Sequence, residues 1–463
     1  MYPYVTAALA LLVIAGLLFV FRKWEGVSEK ILKILTLAFC LIGFFRLFLY
    51  DIYCETALNG EYALQTLLRW GYYISYAVLP MAIFTESRLF RNIATYFSST
   101  MAALSIVFMN TTMDYFIREN HKGYLYGFIV PVPEKWHCVL YATELVLAFS
   151  IPVLMAHVRK HKLAIRDGKE WLHIAIGLPA VLLQFMPMYV PQALIGLTDI
   201  DYKPFGAMHL GWIALIVVEI IVLYLWFRRR NATDKYNLLL FLVIAQTFHT
   251  TSIFMRGFIM SRIPIQLCSI AAFFYLFTIV FRSRKVFGFC FLANILGAVI
   301  AIALAHFDMG DLGIGAIQFY NMHYIYEHTF VMLMPILALA LGVFPRLNRK
   351  DLFHALIVFT FYFLGALIAG LIINSDPDIP APVNYFYMFN LNEAIKFVPF
   401  AGFTGAIEIS LGIQKIYPIL IVVVYAAFVL LISGVYGMMR GIYRIKDRIF
   451  SAKTENVTAP MSE

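Results

Sequence analysis

Charged residues are scarce in this chain. They make up only 14% of its 463 residues, whereas 62% are hydrophobic, and the mean hydropathy is +0.80. A soluble domain has too small an interior for so much apolar surface, so the composition excludes that class and indicates a membrane protein. Cysteine is scarce too. No two of the five cysteines have Cys-x2-Cys spacing, and the sequence contains neither a phosphate-binding glycine loop nor HExxH, so we expect no metal and no cofactor.

The sequence contains many long apolar runs. We count about thirteen runs of membrane-spanning length, and each is predicted to be a helix because lipid offers no hydrogen bonds to the backbone. The runs lie near 3–21, 31–51, 64–86, 92–111, 137–158, 171–195, 207–227, 236–256, 263–281, 286–306, 322–344, 352–374 and 414–438. The predicted fold class is an all-α polytopic membrane protein.

Basic residues predict how the helices are oriented. Arg22 and Lys23 follow the first run and nothing basic precedes it, which favours a retained helix with an outside N-terminus over a cleavable signal. Alternate loops then hold most of the lysines and arginines, ending with "RGIYRIKDR" from Arg440, so the C-terminus is predicted inside. The net charge of +9 is therefore expected to meet anionic headgroups at the cytoplasmic face, with no nucleic-acid partner.

The chain is predicted to contain one unit twice. The stretch "YATELVLAFSIPVL" from Tyr141 resembles "YIYEHTFVMLMPIL" from Tyr324, and "SRLFRNI" from Ser87 runs parallel to "SRKVFGF" from Ser283. Similar landmarks in the same order predict two parallel six-helix repeats plus one extra N-terminal helix. The predicted domains are 1–230, which holds the first copy, 231–450, which holds the second, and a disordered cytoplasmic tail, 451–463.

Residues shared by both copies are interpreted as framework. Glu144 and Glu327 are costly at membrane depth, and each follows a tyrosine by three residues, so a framework hydrogen bond to Tyr141 or Tyr324 is expected. Arg46 and His249 occupy matching places in the two copies and are interpreted in the same way.

Two reactive residues occur in the second copy only. Cys268 and His328 stand where the first copy has Tyr72 and Leu145. Counted by helix rise from the inner boundary, both lie in the outer part of a core about 30 Å thick. An imidazole beside a thiol can take its proton and produce a nucleophilic thiolate, and Tyr324 is placed to orient that ring. The alternative is that both residues only pack.

Two other features predict outer structure. Cys54 and Cys138 both fall at the predicted outer surface, where they can form a disulfide or remain two thiols. The segment 375–413 is rich in aromatic residues and proline but too polar to span, so it is predicted to be either a lid over the outer site or a covering loop.

Three motifs of the second copy carry a family resemblance. They are "IPIQLCSI" around Cys268, "YEHTF" around His328 and "NYFYM" from Asn384. On these motifs, residues 236–445 resemble the YwaF family of bacterial integral membrane proteins. The sequence departs from that family in two of these motifs, since Ile265-Gln266 replace Leu-His, and Glu327 and Thr329 flank the histidine in place of serine and glycine.

That family is similar to a vertebrate multi-pass acyltransferase that moves fatty acyl chains between phospholipids. The resemblance implies that Cys268 is the nucleophile, forming an acyl-thioester, and that His328 is the general base. The positions expected to support them are Gln266, Tyr324, Glu327 and Asn384.

The sequence therefore favours a lipid acyltransferase or acyl hydrolase of the cell membrane, expected to be a bacterial cytoplasmic membrane, with membrane lipids as partners. A transporter or flippase is the alternative, because parallel repeats, matched Pro152 and Pro335 and buried acids suit a substrate path. A non-catalytic assembly or sensory protein is a further alternative.

Overall fold

The computed structural model forms two compact units. Its described residues are 2–49, 68, 71–110, 134–160, 168–184, 205–254, 263, 265–303, 319–377, 383–392, 394, 401–411 and 414–458. The first unit comprises Met1–Pro264 and Ala305–Phe330, and the second comprises Ile265–Leu304 and Val331–Glu463.

The first unit is helical throughout its described residues. Its helices are α1 Tyr2–Lys23, α2 Ser28–Leu49, α3 Ser75–Phe84, α4 Arg88–Ile93, α5 Ser99–Val107, α6 Glu134–Val158, α7 Gly168–Gln184, α8 Ala207–Phe227 and α9 Ala232–Phe254. A 3-10 turn, Glu25–Val27, joins α1 to α2, and a π-helical segment, Ala94–Ser98, joins α4 to α5. The core lies around α3, whose residues from Ser75 to Ile83 are all buried.

The second unit is mainly helical as well. Its helices are α10 Leu267–Val280, α11 Arg284–Phe289, α12 Ile295–Ala303, α13 Phe319–Ala340, α14 Arg349–Asn374 and α15 Pro418–Thr458. The part of α13 up to Phe330 belongs to the first unit. A π-helical segment, Cys290–Asn294, joins α11 to α12, and two 3-10 turns, Tyr385–Tyr387 and Ala401–Ala406, follow α14. A short antiparallel hairpin, β1 Ile409–Leu411 and β2 Gln414–Ile416, departs from the all-α prediction.

Within the described residues the chain is all-α apart from that hairpin, and several of its helices are long and apolar, as in a membrane protein. Among the described residues, five helices have the length and hydropathy to cross a bilayer: Tyr2–Lys23, Cys138–Val158, His209–Phe227, Arg349–Asn374 and Pro418–Ile449. Gly71–Phe84, Leu267–Val280 and Glu327–Ala340 are shorter apolar helices. The full count of about thirteen spans and the outside N-terminus stay predictions.

The stretches after the two Ser-Arg landmarks have the same local structure. In each, a helix of six residues leads into a π-helical segment of five and then into a further α-helix. The first set begins at Arg88 and the second at Arg284. The parallel between these stretches therefore extends from residue type to the position of an uncommon backbone feature.

The compact units divide the chain differently from the two sequence copies. Helix α9, which the repeat interpretation assigns to the second copy, packs against α2 and α3 of the first unit. Its Phe248 ring stacks on the Tyr76 ring with centroids 4.6 Å apart. Helix α15 also continues to Thr458. Its last eight residues therefore fall within the segment 451–463 that was predicted to be a disordered tail.

Each unit contains an ion pair between residues that are far apart in the sequence. In the first, Arg159 donates to both carboxylate oxygens of Glu29, each at 2.9 Å, and to the carbonyls of Ala82 and Ile83 at the end of α3. A cation at a helix C-terminus also complements the helix dipole.

In the second unit, Arg284 donates to both carboxylate oxygens of Asp351 at 2.8 Å. Asp351 also forms a capping box with Asn348 at the start of α14. A guanidinium that grips a carboxylate in this two-bond geometry fixes both partners, so α11 and the start of α14 are held together.

Candidate functional site

Cys268 is the second residue of α10, and two side chains of the second unit hold the backbone just before it. The Tyr362 hydroxyl of α14 donates a hydrogen bond to the Ile265 carbonyl, and the Gln266 amide donates to the Asn384 carbonyl at 3.4 Å. Cys268 therefore lies in the first turn of a helix, where unpaired backbone N–H groups and the positive end of the helix dipole favour a thiolate.

The thiol of Cys268 is partly exposed and faces a position without a side chain. A Cβ atom built on Gly297 of α12 would lie 3.9 Å from the Cys268 sulfur. Cys290, in the neighbouring π-helical segment, differs in both respects, because it is fully buried and its sulfur lies 3.5 Å from the Thr278 hydroxyl. Of these two cysteines, only Cys268 is accessible to a reactant.

The segment 383–392 packs as a cover beside the start of α10. The Asn374 side chain holds Val383 through two hydrogen bonds, donating to its carbonyl at 2.9 Å and accepting from its N–H at 2.7 Å. Asn384 Oδ1 accepts from the Phe389 N–H at 3.0 Å, which closes the turn. Residues 383–389 thus form a packed structure that reaches Gln266, two residues before Cys268.

Phe386 anchors this cover in an aromatic cluster. It is only 5% exposed, and its backbone has a φ of 54°, which a bulky residue adopts only when its surroundings enforce it. Its ring lies against four aromatic residues of α14 and α15: Phe359, Tyr362, Phe363 and Phe428. Burial also raises the pKa of the neighbouring Tyr385 to about 12, so that phenol stays protonated at neutral pH.

His328 is on α13 in the part that belongs to the first unit. Glu327, His328 and Thr329 are all buried there, with exposed fractions of 3%, 6% and 7%. The side chain of Tyr324 lies outside the described residues. The structure thus brings Cys268, Gln266 and Asn384 together in the second unit, and it describes Glu327 and His328 within the first.

At the matching place in the first copy, the structure has a buried ion pair. Arg46 of α2 and the Tyr76 hydroxyl of α3 both donate to the carboxylate of Glu144 on α6, and Arg46 also donates to Tyr76 at 3.1 Å. The Arg46 guanidinium lies 4.8 Å from the centre of the Tyr141 ring. All these groups hold helices to one another, as the framework interpretation of Arg46 and Glu144 predicted.

Sequence reasoning missed several neighbours of these sites. Nothing in the spacing of the sequence pointed to Tyr76, Tyr362 or Gly297. The Arg46–Glu144 pair was open to prediction, because two opposite charges at membrane depth need partners. The choice between a Cys54–Cys138 disulfide and two thiols involves Cys54, which lies outside the described residues.

The comparisons with known proteins support a membrane family. No curated protein and no solved structure matches the chain. A family model described as the TMEM164 family matches residues 204–436, which is half of the chain and includes Cys268, His328 and Asn384. The resemblance to the YwaF family stays a prediction. On this match, the chain belongs to the TMEM164 family, a family of multi-pass membrane proteins.

Proposed function

We propose that the protein transfers or hydrolyses fatty acyl groups of membrane lipids, with Cys268 as the nucleophile and His328 as the general base. The observation that carries the proposal is the setting of Cys268. It is a partly exposed cysteine in the first turn of α10, beside Gly297, and it lies within the region that matches the family. The membrane in question is proposed to be a bacterial cytoplasmic membrane.

The proposed reaction proceeds in two balanced steps. His328 takes the proton of the Cys268 thiol, and the thiolate attacks the ester carbonyl of a lipid. A C–S bond forms and the ester C–O bond breaks, so that the leaving alkoxide receives the proton from His328. In the second step, His328 takes the proton of the hydroxyl of an acceptor lipid or of water, and that oxygen attacks the thioester carbonyl. A C–O bond forms, the C–S bond breaks, and the leaving thiolate receives the proton from His328, which restores the thiol.

Helix contacts within the second unit support pairing the two residues. Tyr275, two turns after Cys268 on α10, donates a hydrogen bond to the Val331 carbonyl of α13 at 2.9 Å. Val331 follows His328 by less than one turn of the same helix. Within the second unit, α10 is therefore fixed to the part of α13 that begins three residues after His328.

Acyl labelling of the reconstituted protein tests the nucleophile. Purified protein in phospholipid vesicles with a radiolabelled acyl chain should acquire hydroxylamine-labile label, and Cys268→Ala should abolish it. Cys40→Ala is the matched control, because Cys40 is also a partly exposed cysteine on a helix, and its label should be unchanged. Full lipid-remodelling activity in both Cys268→Ala and His328→Ala would show that this mechanism is wrong.

Cross-linking tests the base separately. In a His328→Cys variant, a short bifunctional thiol reagent should link residues 268 and 328. A His328→Gln variant should keep the hydroxylamine-labile site but form it about a hundredfold more slowly, because the proton must then leave without a positioned base. Absence of the cross-link together with an unchanged rate in His328→Gln would remove His328 from the proposal and leave Cys268.

A further inference from the structure

One contact between two helices has its large and its small residue in opposite places in the two copies. Aligned on the Ser-Arg landmarks, Leu267 corresponds to Gly71, and Gly297 corresponds to Met101. In the first copy, a Cβ atom on Gly71 would collide with the Met101 side chain. In the second, a Cβ atom on Gly297 would lie 3.2 Å from Leu267 Cδ2. The same helix contact is thus filled by Met101 in the first copy and by Leu267, from the opposite helix, in the second.

The exchange changes the surroundings of the next residue. Tyr72, which follows Gly71, is only 3% exposed. Cys268, which follows Leu267, is partly exposed, and its sulfur lies beside a glycine of α12. Leu267 of α10 fills the contact with α12. The two helices therefore stay packed although residue 297 has no side chain beside the thiol.

We infer that Gly297 is a specificity-determining residue that admits the first carbons of a fatty acyl chain to the Cys268 sulfur. This inference rests on the proposed function, because it names the passage by which the acyl ester reaches the nucleophile. A carbonyl attacked by Cys268 carries an alkyl chain, and the chain needs apolar space within van der Waals reach of the sulfur. Leu267 forms one wall of that space, and a side chain at residue 297 would crowd both this leucine and the sulfur.

Restoring the packing of the first copy provides the sharpest test. The double variant Leu267→Gly/Gly297→Met keeps the helix contact but places the methionine beside the sulfur. In reconstituted vesicles, we expect it to slow both alkylation of Cys268 by N-ethylmaleimide and its acylation by phospholipid, each by about tenfold or more. Reaction of this variant at the wild-type rate would overturn the inference.

Smaller changes keep the test valid if the double variant fails to fold. Gly297→Ala should slow acylation by about tenfold, since a single methylene-sized group is discriminated to that extent in an apolar site. Adding Leu267→Ala should restore the rate, because Leu267 Cδ2 is the atom nearest to the new Cβ. Gly365→Ala is the control, since nothing lies within 4 Å of its Cβ position, and it should react as the wild type does.

The two readouts separate this inference from the proposed function. If alkylation responds to residue 297 but no variant is ever acylated, Gly297 controls access to a thiol that has no acyl chemistry. If the wild type is acylated and Gly297→Ala and the double variant react equally fast, the acyltransferase stands and the role of Gly297 is disproved.

Discussion

Arg46 and Glu144 form an ion pair that is closed off inside the first unit, with exposed fractions of 2% and 0%. Glu144 also accepts from Tyr76, and the Tyr72 ring lies edge-on to both Tyr76 and Tyr141. The position that corresponds to Cys268 is thus occupied in the first copy by a tyrosine of a packed, charged cluster. This arrangement is what we expect of a copy whose role is structural.

Removing one partner of this pair should be far worse than removing both. Arg46→Met leaves the Glu144 carboxylate buried without its guanidinium, and we expect a loss of about 3 kcal/mol in the free energy of unfolding. The double variant Arg46→Met/Glu144→Gln has no buried charge and retains an acceptor for Tyr76, so it should recover most of that loss. Thermal unfolding in detergent, followed by size-exclusion chromatography, measures both. Equal midpoints for the single and double variants would contradict the prediction.

The Glu29–Arg159 pair should make stability depend on acid. Hydrogen bonds from Arg159 lower the pKa of Glu29 below its ordinary value of 4.5, and the charges of Arg159, Lys33 and Arg91 act in the same direction against desolvation. The stabilisation is therefore complete above that ordinary value and is lost as the pH falls through the lower folded-state pKa.

We expect the thermal midpoint of the wild type to exceed that of Glu29→Gln at neutral pH, and the difference to vanish as the pH falls through the lowered folded-state pKa of Glu29. Because Glu29 is 46% exposed, the contribution should not exceed about 1 kcal/mol. Glu86→Gln, which changes another acid close to Arg91, controls for general charge effects. A pH-independent gap between wild type and Glu29→Gln would show that the carboxylate charge is not the cause.

Gly288 should be intolerant of any side chain. A Cβ atom there would lie 2.7 Å from the backbone carbonyl oxygen of Asp351, which the capping box and Arg284 hold in place. We expect Gly288→Ala to lower the free energy of unfolding by about 2 kcal/mol, because backbone cannot move aside as a flexible side chain can. Gly365→Ala, with open space around it, should be neutral or stabilising by up to about 1 kcal/mol. Matching effects at the two glycines would refute the packing argument.

Asn374 should control the cover over the start of α10. Asn374→Ala removes both hydrogen bonds to Val383, which is 7% exposed, and should cost about 2 kcal/mol locally. We expect the segment 383–392 to become sensitive to protease and Cys268 to react faster with a membrane-impermeant maleimide. Asn390→Ala, an exposed asparagine of the same segment, is the comparison. If both variants label Cys268 at the wild-type rate, the segment does not limit access from that side.

Helices were predictable here because apolar length alone specifies them. The predicted run 352–374 corresponds to α14 Arg349–Asn374, and the run 137–158 corresponds to α6 Glu134–Val158. The breaks inside runs were not predictable. The run 92–111 contains a π-helical segment followed by α5, and one additional residue in a helical turn leaves no mark on composition.

The sites were predictable only in part. Cys268 and Asn384 stood out through motifs, and the structure connects Asn384 to Gln266, which precedes Cys268 by two residues. Gly297 was not expected because a glycine in an apolar run has no distinctive pattern, and its effect depends on the size of Leu267 on another helix. Packing of α9 within the first unit also lay beyond prediction, because contacts between distant helices depend on side-chain shape.

The π-helical segment Cys290–Asn294 determines which face of α12 meets the thiol. Each residue turns an α-helix by about 100°, so deleting one residue from this segment would rotate Gly297 away from Cys268 and bring a neighbour with a side chain towards it. The rotation of α12 about its own axis is thus set less than one turn before Gly297. This rotation is as necessary as the glycine itself for keeping side chains of α12 away from the Cys268 sulfur.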